Sequence, residues 1–241
     1  MTRPVALVIG AGDALGSAIA RRFAREGMVA CVVRRHAEKL APLVESIRGA
    51  GGEVLPFGVD ARKEEAMMAL IQQIEQDIGA LEVAVFNIGA NVRFPIRDLT
   101  SRVYFKVWEM ACFAGFLMGR EAAKVMVPRG RGTILFTGAT ASLRGGTGFA
   151  AFAGAKFALR ALAQSMAREL GPEGIHVAHS IIDGAIDTEF IRDNFPERYA
   201  LKAKDGILAP DAIAENYWLL HCQTRSAWTH ELDLRPWLEP W

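Results

Sequence analysis

A short segment near residue 150, FAGAK, sets an aromatic ring one helical turn before a lysine. Residues i and i+4 lie on the same face of a helix, so Phe152 and Lys156 are expected to be neighbours. Lysine is a potential catalytic cation, whereas a phenyl ring has no proton to donate. This pairing singles out the helix, and other motifs must show which site it serves.

A glycine-rich turn near the N-terminus indicates a phosphate ligand. The apolar run PVALVIG leads directly into GAGDALG (10–16), which precedes a helix-period segment. Glycines let the backbone turn tightly and approach a pyrophosphate, which is stabilised by the positive end of the helix. A glycine cluster alone is a weak signal, but the strand–turn–helix context strengthens it. The alternative is a plain connection between a strand and a helix.

Two arginines, Arg34 and Arg35, follow the second apolar run and precede a helix. Cations at a helix N-terminus oppose the helix dipole, and an anion beside them would remove that conflict. In dinucleotide-binding sheets an acid at this point holds the ribose of NAD, whereas arginine accommodates the 2′-phosphate of NADP. Since Glu38 already lies in the helix, NADP(H) is preferred and NAD(H) remains possible. Two solvated arginines are the alternative.

These residues sit in an alternation of short apolar runs and longer helical segments. The predicted strands are 4–10, 28–34, 53–60, 81–87, 132–138, 175–182 and 230–234. The predicted helices are 15–26, 37–50, 62–78, 100–127, the segment holding FAGAK, and 210–222, with a loop-rich stretch at 183–209. Continuously apolar strands that alternate with helices indicate an α/β fold with a parallel sheet covered on both faces. No linker-like stretch interrupts the pattern, so residues 1–241 are predicted to form a single domain.

Composition excludes several classes of protein. Hydrophobic residues make up 51% of the 241 residues, and the net charge of +1 gives no field that would recruit nucleic acid or an anionic membrane. Three cysteines without CxxC spacing predict neither a disulfide framework nor a metal site, and they favour a cytoplasmic location. No apolar run reaches the roughly 18 residues of a membrane span, so none is expected.

Four further motifs follow one another along the chain. IGAGDALG (9–16) is similar to TGxxxGxG, with Ile9 for threonine and Ala14 for one glycine. Asp60 ends the third strand, FNIG (86–89) is similar to NNAG, and Thr188 follows a turn that begins Asp183-Gly184 rather than Pro-Gly. In this order and spacing the chain resembles the short-chain dehydrogenase/reductase family from Val5 to about Leu234.

The resemblance implies a Rossmann-type, doubly wound, mainly parallel seven-stranded sheet with helices on both faces and an NAD(P) site. The cofactor-binding residues indicated by the motifs and the resemblance are Gly10, Gly12, Leu15, Gly16, Arg34, Arg35, Asp60, Asn87, Gly89, Lys156 and Thr188. Family members are usually tetramers or dimers built on their long helices, so a homo-oligomer is expected. The resemblance also makes residues of about 184–207 a substrate lid.

The family's catalytic group is Ser–Tyr–Lys with an asparagine in the preceding long helix, and this chain keeps one member. Lys156 matches the lysine, which holds the nicotinamide ribose and lowers the pKa of the tyrosine. Phe152 stands at the tyrosine position, and Ala139, thirteen residues earlier, stands at the serine position. Cys112 replaces the asparagine, which orders a proton-relay water. The resemblance therefore implies a proton-donor helix without its proton donor.

Four other polar side chains are candidates to replace the missing groups. Thr140 and Ser142 flank Ala139, His179 lies near the end of the sixth strand, and Tyr199 lies in the lid segment. Local turn capping is favoured for Thr140 and Ser142, and a core position for His179.

Three functions remain open on the sequence alone. The first is an NADP(H)-binding protein in which ordinary carbonyl reduction is lost or strongly impaired. The second is an active NADP-dependent reductase of an activated carbonyl, enone, quinone or imine with another proton source. The third is a structural protein without nucleotide, which the intact glycine turn and Lys156 disfavour.

Overall fold

A computed structural model describes residues 3–12 and 14–240, and a seven-stranded sheet forms its centre. The strands are β1 (Pro4–Ile9), β2 (Val29–Arg34), β3 (Glu53–Gly58), β4 (Ala80–Phe86), β5 (Gly132–Thr137), β6 (Ile175–Ile182) and β7 (Glu231–Leu234). Their order is β3-β2-β1-β4-β5-β6-β7, and each described pairing is parallel. The predicted doubly wound parallel sheet is confirmed. Residues 1, 2 and 241 of the predicted domain and residue 13 of the glycine turn lie outside the described residues.

Helices cover both faces of the sheet. They are α1 (Leu15–Arg25), α2 (Ala41–Gly49), α3 (Glu64–Gln73), α4 (Ser101–Trp108), α5 (Ala114–Met126), α6 (Ala150–Leu170), α7 (Glu189–Asn194), α8 (Pro196–Tyr199) and α9 (Pro210–Cys222). Because side chains of a strand alternate between faces, Leu7 of β1 packs in the core layer that also holds residues of α3, α5 and α6. Its neighbour Val8 packs in the opposite layer with α1, α2 and α9. Two apolar cores thus enclose the sheet.

Two predicted segments differ from the structure. The helix predicted over 100–127 is broken by a π-helical turn at Glu109–Phe113, between α4 and α5. The loop-rich segment 183–209 contains α7, α8 and a 3₁₀ turn at Ala200–Lys204. Both differences arise because tertiary packing sets backbone geometry that local periodicity does not encode.

The topology directs ligands to one edge of the sheet. The chain crosses from β3 at one end of the sheet back to β4, which pairs with the other side of β1. In such sheets ligands bind in the crevice beyond the carboxyl ends of the strands, at this switch point. The glycine turn, Asn87 and the loop after β5 all follow strands at this edge.

Candidate cofactor and catalytic site

The glycine turn after β1 has the backbone geometry that requires glycine at its ends. Gly10 has a φ of +85°, a left-handed conformation, and a Cβ there would lie 2.9 Å from the Asn87 carbonyl oxygen. A Cβ on Gly16 would collide with the Gly10 carbonyl. At Gly12, by contrast, a Cβ would meet nothing within 4 Å. The turn is therefore tightly packed at both ends and open in the middle.

Asn87, at the end of β4, holds the turn in place. Its Nδ2 donates to the Gly10 carbonyl oxygen at 3.1 Å, and its backbone N–H donates to the Ile9 carbonyl oxygen at 2.8 Å. Two residues later, a Cβ on Gly89 would also meet nothing within 4 Å. Gly12 and Gly89 thus leave open space beside exposed backbone, which is the shape a dinucleotide needs for close approach.

The residues predicted to select the cofactor lie after β2 and β3. Arg34 pairs in register with Gly58 of β3 and donates to the Lys39 carbonyl oxygen at 3.4 Å, while Arg35 is exposed. Hydrogen bonds from Arg62, at 2.6 and 2.9 Å, and the positive charges of Arg62 and Arg35 lower the pKa of Asp60 to about 2. Asp60 is therefore a fixed carboxylate already engaged by a cation.

Lys156 lies in the first half of α6, almost wholly buried at 3% exposure. Its Nζ donates to the Thr137 carbonyl oxygen at 2.8 Å and to the Ile88 carbonyl oxygen at 3.2 Å. Burial lowers the pKa of this lysine to about 8. An ammonium has three N–H groups, so two carbonyls leave one donor for a ligand.

The three positions around this lysine that the family fills with polar groups are apolar or weakly polar here. The Phe152 ring centroid lies 5.9 Å from the Lys156 Nζ, as the i, i+4 spacing predicts. Phe152 and Cys112 belong to one buried cluster, with Ala139 packed against it. Burial raises the pKa of the Cys112 thiol to about 11, so it is neutral near pH 7.

The two hydroxyls that follow Ala139 in the chain already have hydrogen-bond partners. The Thr140 hydroxyl donates to Asp183 Oδ1 at 2.6 Å. Ser142 is completely buried, accepts from the Ala139 N–H at 3.2 Å, and lies 3.4 Å from His179 Nε2. His179 is also completely buried, and burial lowers its pKa to about 4. Each of these three polar groups therefore has a hydrogen-bond partner other than Phe152 or Cys112.

Residues of the predicted lid make local contacts. The Tyr199 hydroxyl accepts from Lys202 Nζ at 3.4 Å. Thr188 caps α7, because its Oγ1 accepts from the Ile191 N–H at 3.1 Å. Leu15 is buried at the start of α1, where it packs with the apolar core.

Sequence reasoning missed a buried carboxylate beside the site. Asp183, at the end of β6, is 0% exposed and is bound by Arg235 Nη2 at 2.6 Å, in addition to Thr140. The replacement of Pro by Asp before Gly184 was the available signal. Its partner could not be identified, because Arg235 reaches it only through the pairing of β6 with β7.

Comparison with known proteins decides the family. A family model described as short chain dehydrogenase matches residues 4–198. The chain belongs to the short-chain dehydrogenase/reductase family. This member is similar to a 3beta-hydroxysteroid dehydrogenase from Mediterraneibacter gnavus, with 31% identity over 185 residues. That match spans 76% of this chain and 66% of the relative.

Solved structures of the short-chain dehydrogenase/reductase family share the whole fold. A short-chain dehydrogenase from Rhodopseudomonas palustris is 50% identical, with a TM-score of 0.84, and the match covers 97% of this chain and 99% of that one. A metagenomic short-chain oxidoreductase in complex with NADP is 25% identical, with a TM-score of 0.84 and 98% of each chain covered.

Every helix within residues 3–12 and 14–240 is too short or too polar to span a bilayer. The same residues contain no cluster of three or more histidine, cysteine, aspartate or glutamate side chains arranged to hold a metal ion.

Proposed function

We propose that this chain is an NADP(H)-binding member of its family in which ordinary Ser–Tyr–Lys carbonyl reduction is lost or strongly impaired. The observation that carries the proposal is the Phe152 ring, 5.9 Å from a well-placed Lys156 Nζ, where a proton donor would stand. A general acid contributes about 10²–10⁴-fold to such reactions. One donor to a developing oxyanion is worth roughly 10²–10³-fold. The losses need not multiply, because these groups act as a unit.

The residues of the site fit the binding of a nucleotide better than they fit the reduction of a carbonyl group. Gly12 and Gly89 leave backbone open to a ligand, and the Lys156 ammonium keeps one donor for a ribose hydroxyl. Arg34 and Arg35 are the proposed contacts of the 2′-phosphate. The related metagenomic oxidoreductase binds NADP, which supports the same preference here. When bound, the nicotinamide supplies or accepts a hydride, and the chain's own residues orient it.

The remaining proposed cofactor contacts serve different parts of the nucleotide. Gly10, Gly16 and Asn87 shape the turn, while Leu15 begins the helix whose N-terminus would stabilise the pyrophosphate. Asp60 is proposed to lie near the adenine, and Thr188 near the nicotinamide amide. Residues 1–241 are proposed to act as one nucleotide-binding domain in the cytoplasm, with residues 184–207 as its lid.

One observation supports a second candidate function, an active reductase of an activated carbonyl, enone, quinone or imine. Burial places the pKa of Lys156 at about 8, so this group can hold or release a proton near neutral pH. Acceptors of this kind need less help from an acid than a simple ketone does.

A binding and turnover experiment separates the candidates. NADPH and NADH are titrated against the purified chain by fluorescence, and NADPH oxidation is then followed with ketones, enones, quinones and imines. Tight NADPH binding without turnover supports the first candidate, and oxidation with an activated acceptor supports the second. Absence of binding to either nucleotide would overturn both.

A further inference from the structure

A buried carboxylate holds the hydroxyl that lies next to the vacant serine position. Asp183 accepts from Thr140 Oγ1 at 2.6 Å and pairs with Arg235 Nη2 at 2.6 Å. Arg144 approaches both carboxylate oxygens at 3.4 Å. A buried charge is tolerated only when it is paired and hydrogen-bonded, and these donors meet that requirement. The Thr140 hydroxyl is thereby committed as a donor to Asp183.

The second neighbouring hydroxyl is held by a parallel set of contacts. Ser142 Oγ lies 3.4 Å from His179 Nε2, and His179 Nδ1 lies 3.2 Å from Glu231 Oε2. Arg160 binds the same carboxylate at 2.6 and 2.7 Å. Since the Glu231 carboxylate accepts only, it fixes the proton on Nδ1 and leaves Nε2 to accept from Ser142. Because Ser142 is completely buried and Thr140 only partly, Thr140 is the more accessible of these two residues.

We propose that Asp183 is a positioning residue that keeps the Thr140 hydroxyl away from the reacting position. Thr140, Ala139 and Phe152 then offer a ligand no free hydroxyl, because the Thr140 hydroxyl is bound to Asp183 and the other two side chains have none. Such a face suits a bound group that needs no hydrogen bond there, such as a conjugated or iminium carbon, better than a ketone or alcohol oxygen. The proposal rests on the proposed function, because it presumes that the nucleotide binds and that the donors are missing.

The activity test releases the Thr140 hydroxyl in a variant whose proton donor has been restored by Phe152→Tyr. In the Phe152→Tyr background, Asp183→Leu is combined with Arg235→Met, so that the Arg235 guanidinium does not lose its 2.6 Å carboxylate partner in a largely buried position. We expect kcat for a simple ketone to rise about tenfold, with KM little changed, since a freed hydroxyl can donate to the developing oxyanion. Adding Thr140→Val should cancel the gain. Asp183→Asn, which retains an oxygen acceptor for Thr140, should give a smaller gain.

A second readout is independent of activity and needs no folded variant of Asp183. Threonine-methyl NMR of the natural chain should show one rotamer for Thr140, assigned by the signal that Thr140→Val removes. Rotamer averaging in the natural chain, or a kinetic gain that survives Thr140→Val, would overturn the proposal. NADPH titration of the same samples separates this failure from failure of the proposed function, which would appear as lost nucleotide binding.

Discussion

The Lys156 ammonium is a charge held in an almost wholly buried position. Two backbone carbonyls, from Thr137 and Ile88, accept its hydrogen bonds, and the neighbouring ring of Phe152 supplies neither a counter-charge nor a hydroxyl. Desolvation therefore dominates and lowers the pKa to about 8. The charged form of Lys156 therefore destabilises the folded state at neutral pH. This is consistent with a side chain retained for binding a ligand.

Lys156→Met should change how stability depends on pH. The pKa is about 8 in the folded chain, against a reference value of 10.5. Between these values the unfolded chain binds one more proton, so the free energy of unfolding should rise with pH. The rise attributable to Lys156 is about 3 kcal/mol.

Urea unfolding from pH 7 to 10.5 measures this difference. The curve of the natural chain should approach that of Lys156→Met from below as the pH rises. Lys106→Met, which changes an exposed lysine, serves as the control. Parallel curves for the natural chain and Lys156→Met would contradict the assignment.

Arg35 should discriminate between the two nucleotides. Its exposed side chain follows β2, and its charge acts on Asp60. A charge-assisted contact contributes about 1.5–3 kcal/mol. Arg35→Ala should therefore raise the Kd of NADPH roughly tenfold to a hundredfold while leaving that of NADH nearly unchanged. Equal losses for both nucleotides in a fluorescence titration would show that Arg35 does not contact a 2′-phosphate.

At the scale of elements, the tail after β7 runs across the segment proposed as a lid. Trp237 Nε1 donates to the Lys204 carbonyl oxygen at 2.9 Å, and Glu239 pairs with Arg198 at 3.2 Å. A Cβ on Gly206 would lie 2.9 Å from Leu238 Cδ1, so the tail also packs closely on the end of the segment. These contacts come from one stretch of the tail and hold the segment that we propose as a lid.

Trp237→Ala combined with Glu239→Gln should loosen that segment. Loss of the hydrogen bond and the ion pair should increase amide hydrogen exchange over residues 189–204 several-fold, because opening takes less free energy. Exchange in β1 and β4 should not change. Leu219→Ala, which alters an exposed side chain of α9, is the matched control. Unchanged exchange over 189–204 would show that the tail does not restrain this segment.

Some of these elements can be predicted from the sequence, and others cannot. Continuously apolar strands and the i, i+4 spacing in α6 identify the sheet and place Phe152 beside Lys156, because both features depend on local periodicity. The π-helical turn at Glu109–Phe113 and the Asp183–Arg235 pair depend on packing and on strand pairing. No local pattern encodes such contacts, since their partners are distant in the chain.

At the scale of the whole molecule, α4, the π-helical turn that follows it and α5 carry a row of stacked aromatic rings. Phe105 stacks on Trp108 at 6.0 Å, Trp108 on Phe113 at 5.8 Å, and Phe113 on Phe116 at 6.0 Å. Phe105 is 61% exposed, and Phe157 of α6 is 42% exposed. An apolar surface of this kind on long helices fits the proposed homo-oligomer, with a second copy of the chain as the partner.

Phe105→Glu should weaken that assembly. Light scattering should give the natural chain a mass of two or four times 26.3 kDa, and the variant a smaller mass, because a carboxylate would be buried without a partner. Phe190→Glu, at an equally exposed ring of α7, should leave the mass unchanged. A natural chain that runs as a monomer would contradict the proposal.

The most direct test of the proposed loss of carbonyl reduction restores the tyrosine and serine hydroxyls to the site. NADPH oxidation with a simple ketone is compared between the natural chain and Phe152→Tyr combined with Ala139→Ser. The natural chain should show little turnover, and the double variant should gain roughly 100-fold or more at similar NADPH affinity. Rapid ketone reduction by the natural chain would contradict the proposal that the missing hydroxyls impair catalysis. So would a double variant that still binds NADPH but gains no activity.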